Sequence, residues 1–375
     1  MRVLLSGGGT GGHLYPALAI AEALRRRRPE VEILFVGGDR IEARIVPQEG
    51  WTFHTIASRG LPRRPSLGTL MALGATAVGT AQAARLFWRW RPDVVVATGG
   101  YVCVPVGCAA GIFRTPLLIQ EQNLRPGLAT RILARWAQCT SVPHALTASR
   151  LASRRTEVTG VPVRRRAFEG DRARAMARWN LSDDRLTLLV IGGSQGAASV
   201  NRGVSRLADL LMYERRLQIL HHTGAEHVHS VREAIGHREH VGPPSLRHIA
   251  VPFLDPIGDA YACADLVLCR AGASTLAEVT ACGLPAVLVP YPHAGGHQEE
   301  NAAVLVNAGA AVRVGDDELE GTTLVRIISA LVDDRARRTA MAAASRGLGR
   351  PNAADVLAGL VETLGHGGRV AEVRA

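Results

Sequence analysis

Residues 7–13 read GGGTGGH, five glycines and a threonine that end on a single imidazole. Three more turns of the same character follow: TGGY at 98–101, GGSQGA at 192–197 and RAGASTLAE at 270–278. Each comes directly after a short apolar run. Glycine at such turns lets backbone N–H groups approach a phosphate or sugar that a side chain would hold off. His13 adds a group suited to taking a proton near neutral pH. Glu278 adds a carboxylate able to accept hydroxyl protons. One such turn would be weak evidence, since glycine there also permits close helix packing. Two in each half of the chain make a stronger pattern. No strict GxGxxG is followed by a ribose-binding acid at the right distance, Asp39 being the nearest, which argues against a simple dinucleotide enzyme.

The elements that would hold these turns alternate regularly. Strands are expected at 3–6, 32–37, 52–56, 93–99, 116–121 and 156–160, then at 186–193, 217–222, 247–253, 265–269, 285–290 and 310–314, with amphipathic stretches between them. Strands alternating with helices indicate α/β architecture with parallel sheets, and two runs of the pattern indicate two similar domains. In such sheets ligands bind beyond the carboxyl ends of strands, where all four turns fall. The sequence places a first domain at 1–160, a second at 161–345 and, over 346–375, a helix returning towards the first domain plus a disordered tail. VPVRRRAF at 161–168 is the joint.

With 375 residues, 47% hydrophobic and 21% charged, the chain suits two folded domains rather than a disordered polymer. The net charge is +11 and every cation is arginine. That excess favours phosphate-bearing or anionic-membrane partners. Zinc-finger spacing, RRM-like aromatics and a long basic tract are all missing, so nucleic acid is not an expected partner. The six cysteines form no CxxC and no paired ligand spacing, and read as buried free thiols. A signal peptide and a spanning helix are both unexpected, because the first strand is too short and no run of about 18 strongly apolar residues occurs.

In this order the motifs resemble the MurG-type glycosyltransferases: GGTGGH (8–13), GGY (99–101), EQN (121–123), PVR (162–164), GGSQGA (192–197), CRAGASTLAE (269–278), GLPAVLVPYP (283–292) and HQxxNA (297–302). The resemblance spans about residues 1–360. It implies a GT-B fold, two Rossmann-like domains with parallel sheets facing across a cleft. The activity it implies is inverting transfer of N-acetylglucosamine from UDP-N-acetylglucosamine to undecaprenyl-diphospho-N-acetylmuramoyl pentapeptide, without metal or other cofactor. The implied location is peripheral, on the cytoplasmic face of the cell membrane against its anionic surface, with cell-wall synthesis proteins as further partners.

The resemblance also distributes roles. Gly9, Gly99, Gly100 and Tyr101 would take the acceptor diphosphate, and Thr10, Gly11 and Gly12 would lie near it and the donor sugar. Ser194 and its loop, with Ala273, Ser274, Thr275, Leu276 and Ala277, would hold the donor diphosphate. Glu278 would bind the ribose, Leu254 the uracil edge through its backbone, and Gln298, Asn123 and Arg164 other parts of the donor. His13 is either the general base or a group that binds the acceptor or stiffens the loop. Two positions depart from the family pattern. Gln120 stands where the family commonly has His, which removes an imidazole near the acceptor, and Val161 stands where it commonly has Asn.

Residues 66–90 carry Leu70, Met71, Phe87, Trp88 and Arg89, apolar and aromatic groups beside arginine, which suits a membrane interface. The resemblance places the lipid-facing surface there as well, with Arg63 and Arg64 adjoining. An ordinary core helix is the alternative. His221, His222, His227, His229, His237, His240 and His248 show no ligand spacing and read as a solvated helix and loop. His293 and His297 flank a glycine turn near the expected sugar position. Two other functions stay open: a paralogue acting on a modified cell-wall precursor or natural-product acceptor, and a catalytically weak nucleotide-sugar-binding protein.

Overall fold

The computed structural model describes residues 1–60, 66–193, 195–241 and 245–368. It divides into two compact units, 1–164 with the segment from 350 onward, and 165–349.

The first unit is built on seven parallel strands: β1 (Arg2–Ser6), β2 (Glu32–Gly37), β3 (Thr52–Thr55), β4 (Val94–Ala97), β5 (Leu117–Gln120), β6 (Cys139–Val142) and β7 (Thr156–Val158). Their order across the sheet is β3-β2-β1-β4-β5-β6-β7. Helices α1 (Gly11–Arg27), α2 (Ile41–Gln48), α3 (Leu67–Trp90), α4 (Cys103–Phe113), α5 (Leu128–Leu133) and α6 (Ala145–Ala148) connect them. Alternate strand residues serve opposite faces, as a two-residue period requires. Val3, Leu5, Val94 and Val96 pack with α1, whereas Leu4, Val95 and Ala97 pack with α3 and α4.

The second unit has six parallel strands in the order β10-β9-β8-β11-β12-β13. They are β8 (Leu186–Ile191), β9 (Leu217–His222), β10 (Arg247–Val251), β11 (Leu266–Cys269), β12 (Ala286–Leu288) and β13 (Ala311–Arg313). Around them run α7 (Arg172–Arg178), α8 (Ala198–Leu210), α9 (Val228–Val241), α10 (Ile257–Cys263), α11 (Ala273–Ala281), α12 (His297–Asn307), α13 (Thr322–Asp333) and α14 (Arg335–Leu348). The last helix, α15 (Ala353–Gly365), belongs to the first unit, where Leu357, Val361 and Leu364 join the α1 side of the core. Arg27 grips Glu362 through both carboxylate oxygens, at 3.0 and 2.9 Å. Residues 369–375 of the expected disordered tail lie outside the described residues.

In each sheet the strand order reverses once, between β1 and β4 and between β8 and β11. The four glycine turns follow those four strands. They therefore sit at the two switch points, where neighbouring connections diverge to opposite faces and leave a crevice.

The structure corrects two sequence readings here. β6 lies inside the first sheet, yet its sequence is CTSV; Thr140 and Ser141 are buried and bond to Ser153 and Thr159. His221, His222 and His248 are not solvated: they are buried in β9 and β10. Burial, with His222 and Arg238 nearby, pushes His221 down to about 3. The cysteines are free, four of them buried. Burial pushes the Cys103 thiol up to about 11 and that of Cys269 up to about 12, so neither supplies a thiolate near neutrality.

Candidate functional site

In the first unit, β1 runs into the glycine turn and α1 starts at Gly11. Thr10 caps α1 in extended backbone, and Gly11 and Gly12 form its first turn, where N–H groups point away from the helix body. Their exposure allows a ligand to reach them. Gly9 has φ +84° and open space beside it. Its N–H, however, donates to Glu42 Oε2 at 2.8 Å, while Gly38 N donates to Oε1 at 3.0 Å. Glu42 is 2% exposed and braces the loop from beneath. Gly9 thus supplies a backbone bend, not an N–H group for an acceptor diphosphate. A Cβ on Gly8 would fall 2.4 Å from the Glu42 carboxyl carbon, which fixes glycine there.

His13 lies in the same first turn, half-buried. Its Nδ1 is 3.1 Å from the Thr98 carbonyl oxygen and 3.2 Å from Gln122 Oε1. A carbonyl oxygen only accepts, so Nδ1 carries the proton and Nε2 of the neutral ring carries the lone pair. Thr98 Oγ1 donates to the His13 carbonyl at 2.7 Å, and Gln122 Nε2 donates to Gln120 Oε1 at 2.7 Å. Gly99 has φ +103°, and a Cβ there would meet His13 Nδ1 at 2.5 Å. Gly100, φ +89°, would strike the Gly8 carbonyl oxygen at 2.4 Å. The TGGY turn is therefore shaped to seat the imidazole and the first loop. Tyr101 is exposed and lies over Gly60.

Glu121, Gln122 and Asn123 follow β5. The Glu121 carboxylate is buried and accepts from Gln122 N, Asn123 N, Asn123 Nδ2 and Gly127 N at 2.9–3.3 Å. It is committed to its own loop, which leaves it unsuited as a substitute base. Asn123 stands half-buried beside it. Gln120 is fully buried and donates to the Glu121 carbonyl at 2.9 Å. Instead of facing an acceptor, it supports Gln122, which in turn holds His13. Val161, likewise, is a core residue.

Arg164 needs correction. Its guanidinium is 7% exposed, bonds both oxygens of Glu49 at 2.7 and 2.8 Å, and pairs with Glu22. All three belong to the first unit. A group so occupied ties a fold together and is not available to a nucleotide. Arg164→Ala should lower stability by about 3 kcal/mol, the scale for opening a buried ion pair. Urea unfolding measures this, and UDP affinity of the folded variant should stay within twofold.

In the second unit, Gly193 (φ +105°) and Gly196 (φ +75°) shape the turn after β8. A Cβ on Gly196 would fall 1.9 Å from the Thr223 carbonyl oxygen. Ser194 lies outside the described residues. After β11, Gly272 caps α11, so Ala273, Ser274, Thr275, Leu276 and Ala277 make its first turns. Arg270, 7% exposed, fastens this turn by donating to Asp316 at 2.5 Å and Ser199 Oγ at 2.7 Å. Further along α11, Glu278 Oε2 accepts from Tyr261 OH at 2.7 Å. Among the described residues its other oxygen has no donor. Burial raises the Glu278 carboxyl above the ordinary glutamate value, against the opposing pull of Tyr261 and Arg166.

Leu254 is buried just past β10, beside exposed Phe253, whose ring meets His222 edge-on at 5.9 Å. Gln298, in the first turn of α12, accepts from Tyr291 N at 2.9 Å through Oε1. Its side-chain NH2 has no acceptor among the described residues. His293 packs edge-on against Tyr291, and His297 opens α12.

On α3 the core stripe is Ala72, Gly79, Ala83 and Phe87. Phe87 is 1% exposed and tilts against Phe113, so it is a core residue and not a membrane contact. Leu67, Leu70, Met71 and Trp88 are exposed, with Ile112 of α4 also bare. Arg85, Arg89 and Arg91 are exposed on the same helix or at its end. Arg63 and Arg64 lie outside the described residues.

Two units of parallel sheet, each with paired glycine turns at its switch point, make up the α/β architecture of GT-B proteins. Residues 3–142 match the glycosyltransferase family 28 N-terminal domain and residues 187–357 the family 28 C-terminal domain. The chain belongs to glycosyltransferase family 28. It is 41% identical over 97% of its length to the UDP-N-acetylglucosamine–N-acetylmuramyl-(pentapeptide) pyrophosphoryl-undecaprenol N-acetylglucosamine transferase of Desulforudis audaxviator, covering 98% of that protein. It is 42% identical over 95% of its length to the same-named transferase of Moorella thermoacetica, covering 97% of it. The crystal structure of Acinetobacter baumannii MurG matches with TM-score 0.76 and 28% identity, over 96% of this chain and 99% of that one.

Proposed function

We propose that this chain transfers N-acetylglucosamine from UDP-N-acetylglucosamine to the acceptor hydroxyl of an undecaprenyl-diphospho-N-acetylmuramoyl pentapeptide, with inversion and without metal. The reading rests above all on His13. Its Nδ1 is held as a donor by Thr98 and Gln122, so Nε2 is left to take the hydroxyl proton as the oxygen attacks the anomeric carbon. Attack from the face opposite UDP passes through an oxocarbenium-like state. The departing diphosphate is stabilised by N–H groups in the first turn of α11 and the turn after β8, which take the charge a metal ion would otherwise carry. Glu278 anchors the ribose, and Gln298 offers its NH2 to a sugar hydroxyl. The first turn of α1 and the TGGY turn face the acceptor diphosphate.

The test is transfer of label from UDP-N-acetylglucosamine to a short-chain analogue of the lipid acceptor in excess EDTA. A labelled β-linked product is expected. Loss with EDTA and recovery with Mg²⁺ would remove the metal-free mechanism. Equal use of a soluble muramoyl acceptor would favour the paralogue, and UDP binding without any transfer the weak sugar-binding protein.

No helix among the described residues is long and apolar enough to cross a membrane. The exposed α3 face supports peripheral attachment to an anionic bilayer at the cytoplasmic face of the cell membrane. Burying Trp88 is worth about 2 kcal/mol and each arginine near an anionic surface about 1 kcal/mol. Trp88→Ala with Arg89→Ala should therefore cut co-sedimentation with acidic vesicles at least about tenfold. Salt should weaken wild-type binding, since screening acts within about 10 Å at 0.1 M. Wild-type protein that stays in the supernatant at low salt would contradict the attachment.

A further inference from the structure

Three arginines stand at one end of three neighbouring strands. Arg185 precedes β8, Arg215 lies two residues before β9, and Arg247 opens β10. The strands are adjacent and parallel, so these side chains start from the amino-terminal edge of the sheet, opposite the glycine turns. With Arg238 of α9 they line a cavity of about 610 Å³ that Met212 and Ile249 also line.

The charges in this cavity do not balance. Arg238, 7% exposed, is paired with Asp209 at 2.9 Å and donates to His248 Nδ1 at 2.9 Å. Arg185 donates to the neutral Ser245 carbonyl at 2.6 Å. Neither Arg215 nor Arg247 has an acceptor among the described residues. The neighbouring Arg216 differs: Glu214 and Asp333 both hold it. Among the described residues four guanidinium groups thus share one carboxylate in a concave site, with Arg215 exposed and Arg185 and Arg247 half-buried, which concentrates positive potential there.

We propose that this cavity binds a multivalent phosphate anion, with Arg215 and Arg247 as its direct ligands, at a site separate from donor and acceptor. Guanidinium forks match phosphate oxygens two at a time, and two unpaired forks from adjacent strands suit a diphosphate or a phosphomonoester. A soluble phosphate compound and a phosphate-bearing lipid headgroup share this chemistry.

The experiment uses the full chain saturated with UDP. Inorganic pyrophosphate is titrated by calorimetry, and backbone hydrogen exchange is followed at 208–215 and 245–249. Binding that slows exchange in both segments is expected. Arg215→Ala with Arg247→Ala should weaken that binding at least tenfold while UDP affinity stays unchanged, which also reports folding. A second arm replaces pyrophosphate with vesicles containing phosphatidic acid. Protection by pyrophosphate alone identifies a soluble ligand, and protection by vesicles a headgroup. Unprotected segments in wild-type protein with both probes would overturn the proposal. So would binding that the double variant retains in full.

Discussion

His13→Ala is expected to lower the transfer rate by about 10²–10⁴, the range lost with an acid–base group, while UDP-N-acetylglucosamine still binds. The second half follows from the proposed donor site, whose Glu278 and Gln298 lie in the second unit, whereas the ring and its partners Thr98 and Gln122 lie in the first. If the imidazole acts as base, kcat falls and the acceptor KM changes little. If it only holds the acceptor, the acceptor KM rises and kcat at saturation is preserved. Gln122→Ala gives an intermediate case. The ring keeps its bond to Thr98 but loses the amide that fixes its second contact, so kcat should fall less than in His13→Ala. A His13→Ala enzyme with full kcat would remove His13 from the chemistry. Glu121 does not replace it readily, since four N–H groups already use its carboxylate.

Much of this fold is legible because apolar runs and glycine turns are local signals. LQILHH at 217–222 and EILFVG at 32–37 correspond to β9 and β2 residue for residue. β6 escapes because Thr140 and Ser141 satisfy their hydroxyls inside the sheet, so no apolar run announces the strand. Phe87 was legible in principle: Gly79, Ala83 and Phe87 recur every four residues, the spacing of one helix face. Its aromatic neighbours and arginines masked that stripe.

The polar supports of the site are a different matter. Glu42 under Gly9, Gln122 on His13, Tyr261 on Glu278 and Arg270 between Ser199 and Asp316 join positions 17 to 109 residues apart. No spacing rule reveals them, since only the sheet order brings them together. Arg164 shows the opposite failure. A basic residue at a joint suggests a phosphate ligand, but Glu22 and Glu49, far away in sequence, already surround it.

Glu278→Ala should weaken UDP binding by about 1.5–3 kcal/mol, the cost of losing a hydrogen bond to a charged group, or roughly 10- to 150-fold in Kd. One carboxylate oxygen is fixed by Tyr261 OH, which orients the other. That second oxygen lacks a donor among the described residues, which suits ribose hydroxyls. Burial raises the Glu278 carboxyl, so its charge is lost as pH falls through a value above the ordinary glutamate range. UDP affinity should therefore decline on acidification sooner than an ordinary glutamate would allow, and Glu278→Gln should abolish that dependence. Tyr261→Phe should weaken binding less than Glu278→Ala, because the carboxylate survives but loses its orientation. Because the tyrosine bond favours the charged form, Tyr261→Phe should also move the decline in UDP affinity to higher pH. Calorimetry on the three variants between acid and neutral pH measures all of this. UDP affinity unchanged in Glu278→Ala would show that the ribose is held elsewhere.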